Sequence, residues 1–242
     1  MPIFALTSPA VTSRLCPVRV SAYTAVSALG AGKPAHLDAV IHGRSGLSPL
    51  GRHDFGVVPL AQTLDTWVGQ VQGLEDPLPD RWRHWDCRNN RLAWRGLQSD
   101  GFMNAVQRAT ERHGAHRVGL VLGSSTASIG ATEDAYQQLA QCGEFPPQPD
   151  NPALHTLHSL TGFVHEALGL RGPAQTISTA CSSSAKAFAS AERLIRLGLA
   201  DAAVVGGVDS LCGSVVFGFH ALQLVSPEPC KPFDSSAICC RA

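Results

Sequence analysis

ISTACSSSAKAF, residues 177–188, is the stretch whose reading decides the fold. Its opening is β-type and its close, rich in Ala, is helical. Between them stands a cysteine followed by three serines. A strand that turns directly into a helix is the repeating unit of layered α/β proteins. The turn brings the Cys181 sulfur to a helix N-terminus, where free N–H groups and the helix dipole favour a thiolate. Ser182, Ser183 and Ser184 are residue types that cap helices and keep a turn polar. A thiolate in that setting suits transient acylation: it attacks a thioester, and it departs when a carbon nucleophile arrives. The Cys181 backbone N–H can serve as one donor of an oxyanion hole. The competing reading makes Cys181 a small apolar side chain buried at a strand end, as free cysteines often are. Local spacing leaves both open.

The flanks extend the α/β pattern. Residues 174–180 (AQTISTA) form the strand running into Cys181, and residues 183–197 form the helix after it. Residues 201–208 (DAAVVGGV) and 117–123 (RVGLVLG) are continuous apolar runs, expected of strands covered on both faces. Residues 89–113 (NNRLAWRGLQSDGFMNAVQRATERH) read as one amphipathic helix with Leu92, Leu97, Met103 and Val106 on its apolar side. Further helices are expected over 34–42, 132–141 and 153–168, with a Pro-rich loop (EFPPQPDNP) between the last two. Residues 17–24 (PVRVSAYT) alternate apolar and polar and read as a strand. Residues 43–86 are irregular, an excursion that Trp67, Trp82, Trp85 and Trp94 are expected to anchor. The sum is an α/β fold with helices on both faces of the sheet, forming one domain or part of one.

Composition narrows the function. The chain has 242 residues, 44% apolar and only 16% charged, little charge for a free-standing surface. Basic and acidic side chains balance at 19 each, which builds no field for nucleic acid. Eight cysteines are scattered without a C-x-x-C pair, and the chain is large for a disulfide-stapled secreted scaffold. The opening segment has no basic stretch of the signal-peptide kind, and no apolar run is long enough to span a bilayer. A cytoplasmic protein is expected.

Other motifs are weaker. His155 and His158 would share a helical face, with His165 further along, but a metal site needs more ligands nearby. VLGSSTASIG (residues 121–130) follows a strand but matches neither phosphate-loop pattern, so it reads as a Gly/Ser turn. A G-x-S-x-G elbow is absent, which disfavours a serine hydrolase.

TACSSS, the helix after it and DAAVVGGVDSL together resemble the active-site region of β-ketoacyl-[acyl carrier protein] synthases, of the thiolase-like superfamily. PVRVSAYTAVSALGAGKPAHLDAVIHGRSGL is similar to that family's opening, though it departs near Ala22 and Tyr23, where a glycine is usual. DCRNNRLAWRGLQ, VGLVLGSSTASI, GLRGPAQTISTACSSSAKAF and LVSPEPCKPFD continue the resemblance in the family's order, up to Asp234. It implies the N-terminal half of a two-half thiolase-like fold built on a mixed sheet. It implies Cys181 as the acyl-accepting nucleophile, Gly206 and Gly207 packed close beside it, and Phe217 and Phe219 lining the acyl pocket; ordinary core aromatics are an equal reading of those two. No cofactor is implied, because substrates arrive on the phosphopantetheine arm of acyl carrier protein. That carrier is the implied partner, together with a homodimer or a heterodimer with a related synthase subunit.

The resemblance also implies later motifs, two histidines and a lysine that assist decarboxylation, which this sequence does not carry. The expected division is therefore residues 1–236 as an incomplete synthase N-terminal domain and residues 237–242 as an aberrant tail, from a truncated or frameshifted reading frame. An enzyme of fatty acid or polyketide synthesis is one expectation. A non-catalytic fragment that binds a carrier or partner is the second, and a coenzyme-A-dependent relative of thiolase or chalcone-synthase type is the third.

Overall fold

The structure is a computed structural model that describes residues 17–50, 64–146 and 151–232. In chain order the elements are β1 (Val26–Ser27), β2 (Gly30–Ala31), α1 (Lys33–Ile41), β3 (Leu47–Pro49) and β4 (Trp67–Gly69). Then come α2 (Arg88–Gln98), α3 (Phe102–His113), β5 (Val118–Gly123), α4 (Ile129–Cys142), α5 (Ser159–Ala167), β6 (Ala174–Ile177), α6 (Ser183–Arg196), β7 (Ala202–Gly207) and α7 (Gly213–Ala221). Short 3-10 turns cover Asp80–Trp85, Ala115–Arg117 and Pro152–His155.

At the centre is a parallel three-stranded sheet in the order β6-β5-β7. The apolar run of β5 is buried along its whole length, as a strand covered on both faces must be. Its side chains alternate between two helical layers. Val118, Leu120 and Leu122 join Ala93 and Leu97 of α2, Val106 of α3 and Leu160, Phe163 and Val164 of α5. Val121 faces the other way, onto Ala187, Ala191 and Leu194 of α6. The layered α/β expectation therefore holds, with helices on both faces. The described sheet strands are all parallel, and antiparallel pairing is confined to the β1–β2 and β3–β4 hairpins.

Three expectations need correction. Residues 89–113 form two helices, because the Ser-Asp-Gly step at 99–101 turns the chain: Asp100 and Gly101 sit at φ 57° and 67°, in the left-handed region. The Asp100 carboxylate accepts the Lys33 N–H and so caps α1. Residues 153–168 likewise split, into a 3-10 turn and α5, so His155 and His158 do not share a helix. Residues 17–24 have no assigned strand; among the described residues their backbone has no ladder partner.

The excursion is anchored by tryptophan, as its composition suggested. Trp82 and Trp94 meet edge-on at 4.8 Å between ring centroids, and both approach Phe163 of α5. The Trp67 indole N–H donates to the Pro227 carbonyl at 3.0 Å. Arg91 of α2 makes a two-pronged contact with Asp86 at 2.8 and 2.6 Å and also donates to the Leu74 and Glu75 carbonyls. Part of the excursion (51–63), part of the Pro-rich loop (147–150) and the expected tail (237–242) lie outside the described residues.

Among the described residues, the β7 margin of the sheet has no further strand. Residues 17–26 run along one wall of a cleft of about 1700 Å³ whose other wall is β7, with Phe188 and Ile195 of α6 and Phe102 and Val106 of α3 also lining it. Val18, Val20 and Tyr23 are 45%, 67% and 62% exposed, high values for apolar side chains in a strand-like segment.

Candidate active site

In a parallel α/β sheet, ligands and chemistry collect beyond the carboxyl ends of the strands. Here three such ends converge: β6 runs into the Cys181 turn, β5 into residues 124–128, and β7 into Asp209. Cys181 lies two residues before the first residue of α6, exposed and not disulfide-bonded. Ala180 before it has φ 53°, a left-handed conformation that costs a non-glycine residue on the order of 1 kcal/mol and persists only where the surroundings enforce it.

The enforcing contacts are serine hydroxyls. Ser183 Oγ donates to the Ala180 carbonyl at 2.6 Å and accepts the Thr179 N–H at 2.9 Å. Ser125 Oγ also donates to the Ala180 carbonyl, at 3.0 Å. Ser182 Oγ donates to the Thr179 carbonyl at 2.9 Å. The first serines after the cysteine thus lock the preceding turn, and no side chain caps α6. That differs from their expected role as helix caps. The turn is reversed so tightly that its own carbonyls lie within reach, and those claim the hydroxyls.

Two glycines let α6 sit directly on the sheet. A Cβ on Gly123 would come within 2.5 Å of the Ser183 carbonyl carbon and 2.6 Å of the Ser184 nitrogen, and one on Gly207 would collide with the Ser184 hydroxyl. Close packing beside the nucleophile was expected of Gly206 and Gly207; Gly207 shows it, whereas a Cβ on Gly206 would meet open space. A residue that sequence reasoning missed completes the site. Asp209 Oδ1 accepts four hydrogen bonds: from Ser124 Oγ at 3.0 Å, Ser125 N at 2.8 Å, Thr126 N at 3.1 Å and Thr126 Oγ1 at 3.0 Å. No local pattern announces a contact across more than 80 residues; the Gly/Ser turn itself was legible.

The other cysteines differ in setting. Burial pushes the Cys87 thiol up to about 11 and Cys212 likewise to about 11, with the Glu133 and Asp209 carboxylates adding to the second. Both stay protonated and poorly nucleophilic at neutral pH. Cys142 and Cys230 are exposed, but Cys142 ends α4 and Cys230 lies in a loop after α7, and neither follows directly on a strand of the central sheet. Phe217 and Phe219 lie on α7, whose N-terminal Gly213 and Ser214 N–H groups are held by Glu133 at 2.9 and 2.6 Å. Phe217 is half-buried and Phe219 is exposed, and neither lines the cleft at the sheet margin. The histidines are engaged separately: His155 with Thr132, His158 with Thr176, and His165 with the Gly172 carbonyl.

A cysteine presented at a left-handed elbow above a parallel sheet, with helical layers on both faces, is the arrangement expected from the resemblance to the thiolase-like class. Comparison places the chain within it. Residues 88–239 match the model of the "Beta-ketoacyl synthase, N-terminal domain", and the chain belongs to that family. The ketosynthase ApeO of Xenorhabdus doucetiae, solved in complex with its chain length factor ApeC, superposes with a TM-score of 0.76 at 29% identity, over 90% of this chain and 53% of that one. Nodulation protein E of Rhizobium leguminosarum bv. trifolii is 31% identical over 126 residues, which are 52% of this chain and 31% of that protein. The chloroplastic 3-oxoacyl-[acyl-carrier-protein] synthase I of Hordeum vulgare is 26% identical over 222 residues, covering 86% of this chain and 46% of the relative. The chain thus spans less than half the length of either curated relative. Among the described residues no helix is long and apolar enough to cross a membrane.

Proposed function

We propose that the chain supplies the acyl-accepting half of a β-ketoacyl-[acyl carrier protein] synthase of fatty acid or polyketide type, with Cys181 as the nucleophile. The observation that carries this reading is the exposed thiol at the end of β6, on a turn held left-handed by two serine hydroxyls. The Cys181 sulfur attacks the carbonyl of an acyl thioester on a carrier protein. The tetrahedral oxyanion collapses with expulsion of the phosphopantetheine thiolate, which takes up the proton that the cysteine gave. In the whole synthase, loss of CO₂ from a malonyl thioester then generates a carbanion that attacks the acyl-cysteine carbonyl and frees the thiolate. Phe217 and Phe219 are the proposed wall of the acyl pocket, and a carrier protein and a related synthase subunit the proposed partners. Radiolabelled octanoyl-[acyl carrier protein] tests the first step. The label should transfer to the chain, be released by hydroxylamine, and fail to transfer to Cys181→Ala. Equal labelling of Cys181→Ala would remove Cys181 from this role.

The open margin favours a second reading, in which the chain binds a partner without completing condensation alone. Two extended backbones, residues 17–24 and the outer edge of β7, face one cleft without strand partners among the described residues. An added strand would complete the sheet and cover the exposed apolar side chains. Hydrogen exchange checks this: amides of 17–24 should exchange fast in the isolated chain and slow on adding the C-terminal half of the ApeO ketosynthase. Slow exchange in the isolated chain would contradict it.

A further inference from the structure

The peptide joining Ala180 to Cys181 is a rigid plane, so the direction of the Ala180 carbonyl fixes the direction of the Cys181 N–H on its opposite side. That carbonyl accepts three donors: Ser125 Oγ at 3.0 Å, Ser183 Oγ at 2.6 Å and the Ser183 N–H at 3.0 Å. The Cys181 N–H itself donates to no backbone carbonyl among the described residues. A free N–H beside an acyl-accepting sulfur, held in direction from behind, is what a developing oxyanion requires.

The chain of contacts leads one step further back. Ser183 belongs to α6 and is held by the helix. Ser125 belongs to a short turn after β5, and that turn is gathered onto a single carboxylate oxygen. Asp209 Oδ1 receives Ser124 Oγ, Ser125 N, Thr126 N and Thr126 Oγ1, all at 2.8–3.1 Å. Ser124 Oγ in turn accepts the Ala127 N–H at 2.8 Å, and Ala127 has φ 40°, so the turn is held against its backbone preference. Charge-assisted bonds of this kind are about twice as strong as neutral ones. The Ser124 N–H also ties the turn to β6, donating to the Ile177 carbonyl at 3.1 Å, but the Ser125 N–H itself is held by the carboxylate.

We propose that Asp209 is a positioning residue: through Ser125 and the Ala180 carbonyl it aims the Cys181 N–H at the acyl oxyanion. This rests on the reading of Cys181 as acyl acceptor. It separates two reactions of one sulfur. Attack on a thioester builds an oxyanion and needs the aimed N–H, whereas displacement of iodide from iodoacetamide builds none and needs only the thiolate and access to it.

The test measures both rates at Cys181, by peptide mass spectrometry, in the wild type, Asp209→Ala, Asp209→Asn and Ser125→Ala. The probes are octanoyl-N-acetylcysteamine thioester and iodoacetamide. Octanoylation should fall roughly ten- to a hundredfold in Asp209→Ala and Ser125→Ala. Alkylation should stay within about twofold of wild type, since thiol access and thiolate fraction govern it. Asp209→Asn, which keeps an acceptor oxygen without the charge, should lie between. Should Asp209→Ala fail to fold, Ser125→Ala decides, since it removes one hydroxyl and leaves the carboxylate network standing. Wild-type octanoylation rates in Ser125→Ala overturn the proposal. So does an equal fall of both rates in both variants, which would mark the residues as mere supports of the fold. A wild-type chain that is alkylated but never octanoylated at Cys181 removes the acyl-acceptor reading instead.

Discussion

The turn around Cys181 and the margin formed by residues 17–26 flank the same sheet and are built in opposite ways. At the turn, strand ends, a helix N-terminus and a carboxylate meet, and each hydroxyl from Ser124 to Thr126 and from Ser182 to Ser183 is hydrogen-bonded within the chain. At the margin, extended backbone lies along a cleft with apolar side chains turned to it. The turn is thus fixed by contacts within the chain, while the β7 edge of the sheet has no strand partner among the described residues. Under the proposed function, acylation of Cys181 depends on the first region, and the exposed apolar side chains of the second govern the behaviour of the chain in solution.

The sharpest way to break the comparison is to cut equal pieces from the two regions. Leu120, wholly buried at the sheet centre, should cost about 3–4 kcal/mol when replaced by alanine, through lost burial and a residual cavity. Val20, 67% exposed at the margin, should cost less than about 0.5 kcal/mol in the same substitution. Urea unfolding monitored by tryptophan fluorescence measures both, and similar losses would mean that the margin is packed after all.

Next in size is the contact between α6 and β7. Gly207→Ala should destabilise by about 1–3 kcal/mol, because the added methyl meets the Ser184 hydroxyl and must displace the helix start. It should also slow acylation of Cys181, while Gly206→Ala, with open space at its Cβ, should leave acylation intact. A Gly207→Ala protein with wild-type stability and acylation would show that the close seat of α6 is not needed.

A smaller effect concerns the excursion. Burial works to raise the Asp86 carboxyl, but the Arg91 guanidinium, the Leu78 N–H and the charge of Arg83 outweigh it and hold the group below its ordinary value. A carboxyl depressed in the folded state adds stability above its unfolded pKa of about 3.9, and this is lost as the pH falls through the lower folded value. Stability should therefore drop below about pH 4, and Asp86→Asn should lose roughly 1–2 kcal/mol at pH 7 and flatten that acid limb. Urea midpoints at pH 7 and pH 3 for the two proteins check it; parallel pH profiles would assign the acid loss to other groups.

What the sequence made legible follows the same division. β5, β7, α6 and the Cys181 elbow were readable because unbroken apolar runs and a strand-to-helix switch are local signals. The break at Asp100 was hidden because Leu97 and Phe102 keep the apolar side populated across it, although Ser-Asp-Gly is itself a turn sequence. Residues 17–24 carry a strand's alternation, but pairing is a property of two segments, and no described partner adjoins them. The β3–β4 hairpin joins two three-residue strands separated in sequence by residues 50–66, too short a pattern to stand out. Asp209 was invisible for a related reason: its importance lies in what folding brings to it, and its neighbours in sequence give no hint of that.

The central claim is that one cysteine among eight receives the acyl group because of where the strand ends place it. The direct measurement exposes the native chain to limiting octanoyl-[acyl carrier protein] and maps all eight cysteines by peptide mass spectrometry. The account predicts octanoyl on Cys181 alone, with the exposed Cys142 and Cys230 unmodified. Octanoyl on Cys142 or Cys230 with Cys181 left free would contradict it.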